Sequence, residues 1–173
     1  VQGFANARLG IIYRDGLGVK ADPRKAKKYI DRACKLGNRD AAFMRYEELL
    51  KAGQTKEALP LLDQAAKEGL PKAVALIGLR FIHGDGFPKN VKRGLNCLQN
   101  AADAGVPEAI TALVQATIDH VPGALPAEAL WKYVSIAEEC GYAEAADLRE
   151  KLTVLQPAAE ANAPGETGAA RPL

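Results

Sequence analysis

LGIIYRDGLGVKADPRKAKKYIDRACKLG, residues 9–37, and IGLRFIHGDGFPKNVKRGLNCLQNAADAG, residues 77–105, lie 68 residues apart and match in register. Gly10 meets Gly78, Gly16 meets Gly84, Gly18 meets Gly86, Ala33 meets Ala101 and Gly37 meets Gly105. Leu9 stands against Ile77, Tyr13 against Phe81 and, just upstream, Ala5 against Ala73. The interval holds two units, because Gly37, Gly69, Gly105 and Gly141 are spaced by 32, 36 and 36 residues. A period of this length marks a stacked array, in which each unit buries its apolar face only by leaning on its neighbours.

The signals within a unit give helix, turn, helix. Ala5, Leu9, Ile12 and Tyr13 recur at helical spacing until Gly16 and Gly18 break the chain. Asp22 before Pro23 is a helix start, since the carboxylate accepts from free N–H groups and proline needs no partner there. Asn90 takes the place of Asp22 one period later. Ala26, Tyr29, Ile30 and Ala33 line one face of the second helix, which stops at Gly37, a left-handed C-cap position. Pro71 and Pro107 follow the closing glycines at first-turn positions. Small residues at Gly10, Gly78, Ala26, Ala33, Ala58, Ala65 and Ala101 fall where paired helices must approach closely.

Leu9-Gly10 with Tyr13, then Asp15-Gly16-Leu17-Gly18-Val19, Asp22, Lys25-Ala26, Ala33 and Gly37 resemble the signature of Sel-one-like repeat proteins. These are relatives of tetratricopeptide repeats with a longer, glycine-bearing turn. Ile77-Gly78, Phe81, His83-Gly84-Asp85-Gly86-Phe87, Asn90 and Ala101 carry the resemblance a second time. It implies an all-α, right-handed superhelical solenoid of stacked helix-turn-helix repeats. The units fall at 1–36, 37–68, 69–104 and 105–140, followed by a capping helix over 142–155 with Ala145, Leu148, Leu152 and Leu155 on one side. Residues 156–173, with Pro157, Pro164, Pro172, Gly165 and Gly168 and no apolar period, read as a flexible tail.

Two units depart from the pattern. In the second, Tyr46 replaces the helix glycine, the turn shrinks to Lys51-Ala52-Gly53-Gln54-Thr55, and Pro60 should kink or delay the second helix. In the fourth, the glycine-rich turn becomes His120-Val121-Pro122-Gly123.

Twenty-three Lys and Arg against 21 Asp and Glu, in mixed sign, give a formal charge of +2, too little to argue for a nucleic-acid partner. No apolar run reaches the roughly 18 residues of a membrane-spanning helix. Cys34, Cys97 and Cys140 sit one to a unit, an arrangement that suits helix packing and not a disulfide framework. Gly16-Leu17-Gly18 and Gly84-Asp85-Gly86 lack the preceding strand of a phosphate loop and repeat in structural register, so they read as turns. His83 and His120 show no ligand spacing, and Ser135, the one serine, has no nucleophile motif. No catalytic residue, metal or cofactor is expected.

Binding remains. In tetratricopeptide-like arrays the first helices line the concave face, and register places Arg14, Asp15, Asp40, Phe43, Glu47, Lys51, Lys72, Leu79, Ile82, His83, Glu108, Thr111 and Gln115 there. An apolar centre of Phe43, Leu79 and Ile82 within mixed charge suits a peptide or helix laid in a groove. The resemblance implies a non-enzymatic adaptor or scaffold for a partner protein in a bacterial envelope, secretion or signalling assembly. The alternative is a glycan-binding or carbohydrate-active accessory protein of a cell-wall or exopolysaccharide system. Val1 stands where later units carry a closing glycine, so the chain reads as starting inside an array, with upstream sequence and any signal peptide removed. Apolar surface at that edge offers self-association as a third route. The compartment stays open, because the resemblance points to export and the unpaired cysteines to a reducing interior.

Overall fold

The computed structural model describes residues 1–155, which contain nine α-helices and no strand. They are α1 (Gln2–Asp15), α2 (Pro23–Lys35), α3 (Arg39–Lys51), α4 (Thr55–Lys67), α5 (Pro71–His83), α6 (Val91–Asp103), α7 (Pro107–Ile118), α8 (Ala127–Glu139) and α9 (Ala145–Leu155). The chain is an all-α solenoid. Consecutive helices pair as α1–α2, α3–α4, α5–α6 and α7–α8, each second helix also packs on the first helix of the next pair, and α9 closes on α7 and α8. The tail proposed for 156–173 lies outside the described residues.

The helix ends follow from local chemistry. The Asp22 carboxylate accepts from the N–H groups of Arg24 and Lys25 at 3.1 and 3.0 Å, and the Asn90 side chain accepts from Arg93 at 3.0 Å. Pro71 and Pro107 occupy the first turns of α5 and α7. Each second helix ends in one motif, in which the residue after the closing glycine donates back to an alanine carbonyl. Asn38 reaches Ala33, Leu70 reaches Ala65, Val106 reaches Ala101 and Tyr142 reaches Ala137, at 2.9–3.0 Å. The glycine between must be left-handed, with φ of 74° at Gly37, 78° at Gly69, 77° at Gly105 and 70° at Gly141. The alanines have no room for a larger side chain, being 0–1% exposed.

Packing is tightest where glycine removes the side chain. A Cβ on Gly78 would lie 2.9 Å from the Gly94 carbonyl oxygen, and one on Gly94 would lie 2.6 Å from that of Gly78, so α5 and α6 meet backbone to backbone. In the second hairpin the same register position holds Tyr46, which is 3% exposed, with its ring 5.6 Å from that of Phe43 and its hydroxyl accepting from Arg80 of α5 at 3.3 Å. Two apolar clusters result, one centred on α1–α4 with Ile30, Phe43, Tyr46 and Leu62, the other on α6–α9 with Leu98, Leu113, Leu130, Tyr133 and Leu152. Ala73, Ile77 and Phe81 of α5 belong to the first cluster and Ala75 to the second, which makes α5 the joint between them.

Two expectations shift, and the fourth unit's turn gains a conformation. Pro60 does not delay α4, which begins at Thr55 and runs through it. Pro60 is exposed, so the carbonyl it leaves without an N–H partner can turn to water. The last helix begins at Ala145, later than 142, with Tyr142 held by its N–H bond to Ala137. In the fourth unit the left-handed position passes to His120, with φ 52°, and Gly123 takes 83°.

Candidate functional site

The first helices α5 and α7 are in contact, and so are α7 and α9. Along α7 and its C-cap, residues 108, 111, 112, 115, 116 and 119 form one helical stripe, and this stripe faces a concavity. Its larger part, about 640 Å³, is lined by Leu79, Pro107, Glu108, Thr111, Ala112, Gln115 and Glu144. A smaller part of about 120 Å³ is lined by Leu79, Ile82, His83, Ala112, Gln115, Ala116, Asp119 and Val121. The two share Leu79, Ala112 and Gln115. Six residues placed on the concave face by register, Leu79, Ile82, His83, Glu108, Thr111 and Gln115, thus lie together here.

Ala112 and Ala116, at the floor, follow from the helical stripe once Thr111 and Gln115 are placed. Glu144 does not, because it arrives from the capping segment. The Gln115 amide donates to the Asp119 carboxylate at 2.9 Å, and the Thr117 hydroxyl donates to the Leu125 carbonyl at 2.7 Å, pinning the loop behind the floor. The charged side chains of the lining, His83 aside, are the carboxylates Glu108, Asp119 and Glu144. The nearby Arg80 guanidinium is committed elsewhere, at 2.7 Å from Asp85 and 3.3 Å from the Tyr46 hydroxyl.

The remaining candidates lie toward the other end. Arg14 pairs with Asp15 at 2.7 Å and donates to the Met44 sulfur at 3.5 Å, and its hydrogen bond to Asp15 raises the guanidinium pKa. Asp40 and Lys51 are exposed on α3, and Glu47 is half-buried between them. Phe43 corrects the expectation of one apolar centre. It is 8% exposed, turned into the core with its ring 5.6 Å from that of Tyr46, and the Lys72 ammonium lies 5.6 Å from its centroid. Three residues apart on α3, Phe43 and Tyr46 share the helix face that Tyr46 fills. Leu79 and Ile82 are only half-buried and remain at the surface.

The opposite side of the stack carries polar struts. Arg45 reaches Asp31 of α2 at 2.9 Å and also pairs with Glu48, while the Gln64 amide donates to the Cys34 carbonyl at 2.8 Å. Burial pushes the Cys34 thiol up to about 11, so it stays protonated at neutral pH. The Asp103 carboxylate accepts from the Tyr133 hydroxyl at 2.8 Å and lies 3.3 Å from the Lys132 ammonium. Those bonds, Tyr133 first, lower its pKa. Among the described residues no three His, Cys, Asp or Glu side chains converge as a metal ion would require, and no helix is long and apolar enough to cross a membrane.

Helical hairpins closed by an Ala-to-Gly Schellman turn, with a glycine-rich turn between the helices, define a solenoid of short helical repeats. The Sel1 repeat family model matches residues 3–38 and 71–106, so the α1–α2 and α5–α6 hairpins are Sel1 repeats. The fold resembles the crystal structure of a Sel1 repeat protein from Oxalobacter formigenes, with a TM-score of 0.75 and 20% identity over 87% of this chain and 44% of that one. It also resembles a protective antigen present in uropathogenic Escherichia coli strains that displays an SLR fold, with a TM-score of 0.68 and 19% identity over 88% of this chain and 38% of that one. In sequence the chain is 30% identical over 109 residues to an uncharacterized protein of Neisseria meningitidis serogroup B. That match takes in 63% of this chain and spans about a quarter of the relative, 23% of its length. Sel1 repeats are generally protein-interaction scaffolds.

Proposed function

We propose that this chain is a non-catalytic scaffold that seats a segment of a partner protein in the concavity between α5 and α7. The observation that carries this reading is the continuity of the two concavities across Leu79, Ala112 and Gln115, with an apolar floor and a polar border. A half-buried leucine beside small alanines leaves a socket for one or two apolar anchors, while Glu108, Asp119 and Glu144 set orientation. The lining contains no Phe, Tyr or Trp ring on which a sugar would stack, which favours a peptide over the glycan alternative. The assembly proposed for it is a bacterial envelope, secretion or signalling assembly, a reading supported by the bacterial source of the structures that share its fold.

The test is site-specific photo-crosslinking from Thr111 and Gln115 in the native cell. A protein captured from both positions, and lost on Leu79→Arg in a protein with an unchanged melting profile, is the expected result. Capture that survives Leu79→Arg, or that occurs equally from an exposed position on the opposite side such as Lys67, refutes the reading.

A further inference from the structure

The second helices of the four hairpins do the same structural work, yet their charge differs widely. α2 carries Arg24, Lys25, Lys27, Lys28, Arg32 and Lys35 against Asp31, a formal +5. By the same count α4 is neutral, α6 is +1 and α8 is −2. The fold therefore does not require the cations of α2. It is also burdened by them. Arg24 and Lys25 stand in the first turn, where the helix dipole favours acids and α2 has none. Arg24 with Lys28, Lys28 with Arg32 and Arg32 with Lys35 put like charges at the three- and four-residue spacings where they repel. Asp31, the one acid within the helix, is taken by Arg45 of α3, and Asp22 is taken by the N-terminal backbone. All six cations are exposed, and among the described residues only Lys25 has a carboxylate within ion-pair distance, Asp22 at 3.8 Å.

The arrangement is a row. At 100° per residue, Arg24, Lys25, Lys28, Arg32 and Lys35 fall within about 100° of the helix circumference, opposite the buried Ala26, Ile30 and Ala33. Arg24, Lys28 and Arg32 repeat at about 6 Å along the axis, and the row is about 16 Å long. We infer that the outer face of α2 is a second interaction surface, distinct from the α5–α7 concavity, and that its partner is an acidic helical segment of another protein. A helix with Asp or Glu at every fourth position presents carboxylates at the same 6 Å pitch. A long polyanion or an anionic membrane plane fits less well. Either, extended across the second helices beyond α2, would meet the neutral α4 and then the net negative α8, where Glu128, Glu138 and Glu139 are exposed.

The experiment uses the full chain and a labelled alanine-based helical peptide with glutamate at every fourth position. Beside it run a same-composition peptide with scrambled glutamates, vesicles containing phosphatidylglycerol, and a single-stranded oligonucleotide. Binding of the patterned peptide should weaken steeply with salt and fall at least about tenfold in Lys28→Glu/Arg32→Glu. That variant should melt no lower than the parent, because it relieves repulsion within α2. Lys92→Glu/Arg93→Glu on α6 should leave binding unchanged, as should Leu79→Arg, which separates this surface from the concavity. Equal binding of the scrambled peptide, insensitivity to the α2 reversal, or tighter binding of vesicle or oligonucleotide than of the patterned peptide overturns the inference.

Discussion

The α5–α6 and α3–α4 hairpins solve one packing problem in opposite ways. In α5–α6, Gly78 and Gly94 bring two backbones together with no side chain between them. In α3–α4, Tyr46 stands where the glycine would be, the loop is shorter, and an aromatic ring fills the interior beside Phe43. The first hairpin sides with the glycine solution, since a Cβ on Gly10 would lie 2.5 Å from the Ile30 side chain. One register position of the repeat thus takes fillers of very different size, a glycine in two hairpins and a tyrosine in the one between them.

The largest effect should come from emptying the aromatic hairpin. Tyr46→Ala and Phe43→Ala should each cost about 3–5 kcal/mol in urea titration, as large buried residues cut to a methyl do. Tyr46→Gly tests the comparison most directly. If the helices could close up to the α5–α6 spacing, the loss would be under about 1 kcal/mol, and the two hairpins would be one structure with interchangeable fillers. The opposite substitution is smaller in expected size. Gly78→Leu should destabilise by about 1–3 kcal/mol through overpacking, because the obstacle is the Gly94 carbonyl and not a side chain that can swing away. Melting of Gly78→Leu at the parent temperature would show that α5 and α6 separate freely.

Much of this difference is legible in the sequence, and the reason is locality. Caps, closing glycines and the 68-residue register depend on neighbours within a turn or two, so Asp22, Asn90, Gly37 and Gly105 announce their roles. Tyr46 announces a departure in the same way. What filled the departure was not legible: register put Phe43 on the groove side, and tertiary packing turned it inward. Gly94 was readable but hidden, since it aligns with Ala26 at 68 residues and a small residue there draws no notice until Gly78 is seen against it. The groove divides likewise. Leu79, Ile82 and the α7 stripe follow from helical spacing, whereas Glu144 depends on how the cap folds back. The cationic row of α2 vanished into a total of +2 because the acidic far end cancels it.

Phe43 and Leu79 sharpen the contrast on the functional side. Both stand on first helices, but one is in the core and the other in the wall of a concavity. Leu79→Ala should weaken partner binding by at least about 1 kcal/mol. Its effect on the melting temperature should be smaller than that of Phe43→Ala, and binding assays run beside thermal melts of both variants decide it. If Leu79→Ala unfolds the chain as readily as Phe43→Ala, Leu79 is core and the socket between α5 and α7 is not a surface.

The smallest effect concerns how second helices are tied across the stack. Between α2 and α4 the tie is Gln64 to the Cys34 carbonyl, a bond with nothing to titrate in the acid range. Between α6 and α8 it is Tyr133 to the Asp103 carboxylate, which does titrate. Asp103 has its pKa lowered from 3.8, so the folded state holds the proton less tightly than the unfolded state. Its contribution is therefore fully present above pH 3.8 and is lost as pH falls through the lower folded value. The Asp103 side chain is 53% exposed and screened by solvent, which limits the contribution to below about 1 kcal/mol. Asp103→Asn should be slightly less stable than the parent at neutral pH and should converge with it in acid, while Gln64→Ala should lose the same stability at every pH. Tyr133→Phe, which removes the bond, should lose at least as much as Asp103→Asn, which strips its charge, and the double variant should cost less than the two single losses combined, because both act on one bond. A gap between parent and Asp103→Asn that stays constant down to pH 2 would place the stabilisation outside the carboxylate and make the two ties alike.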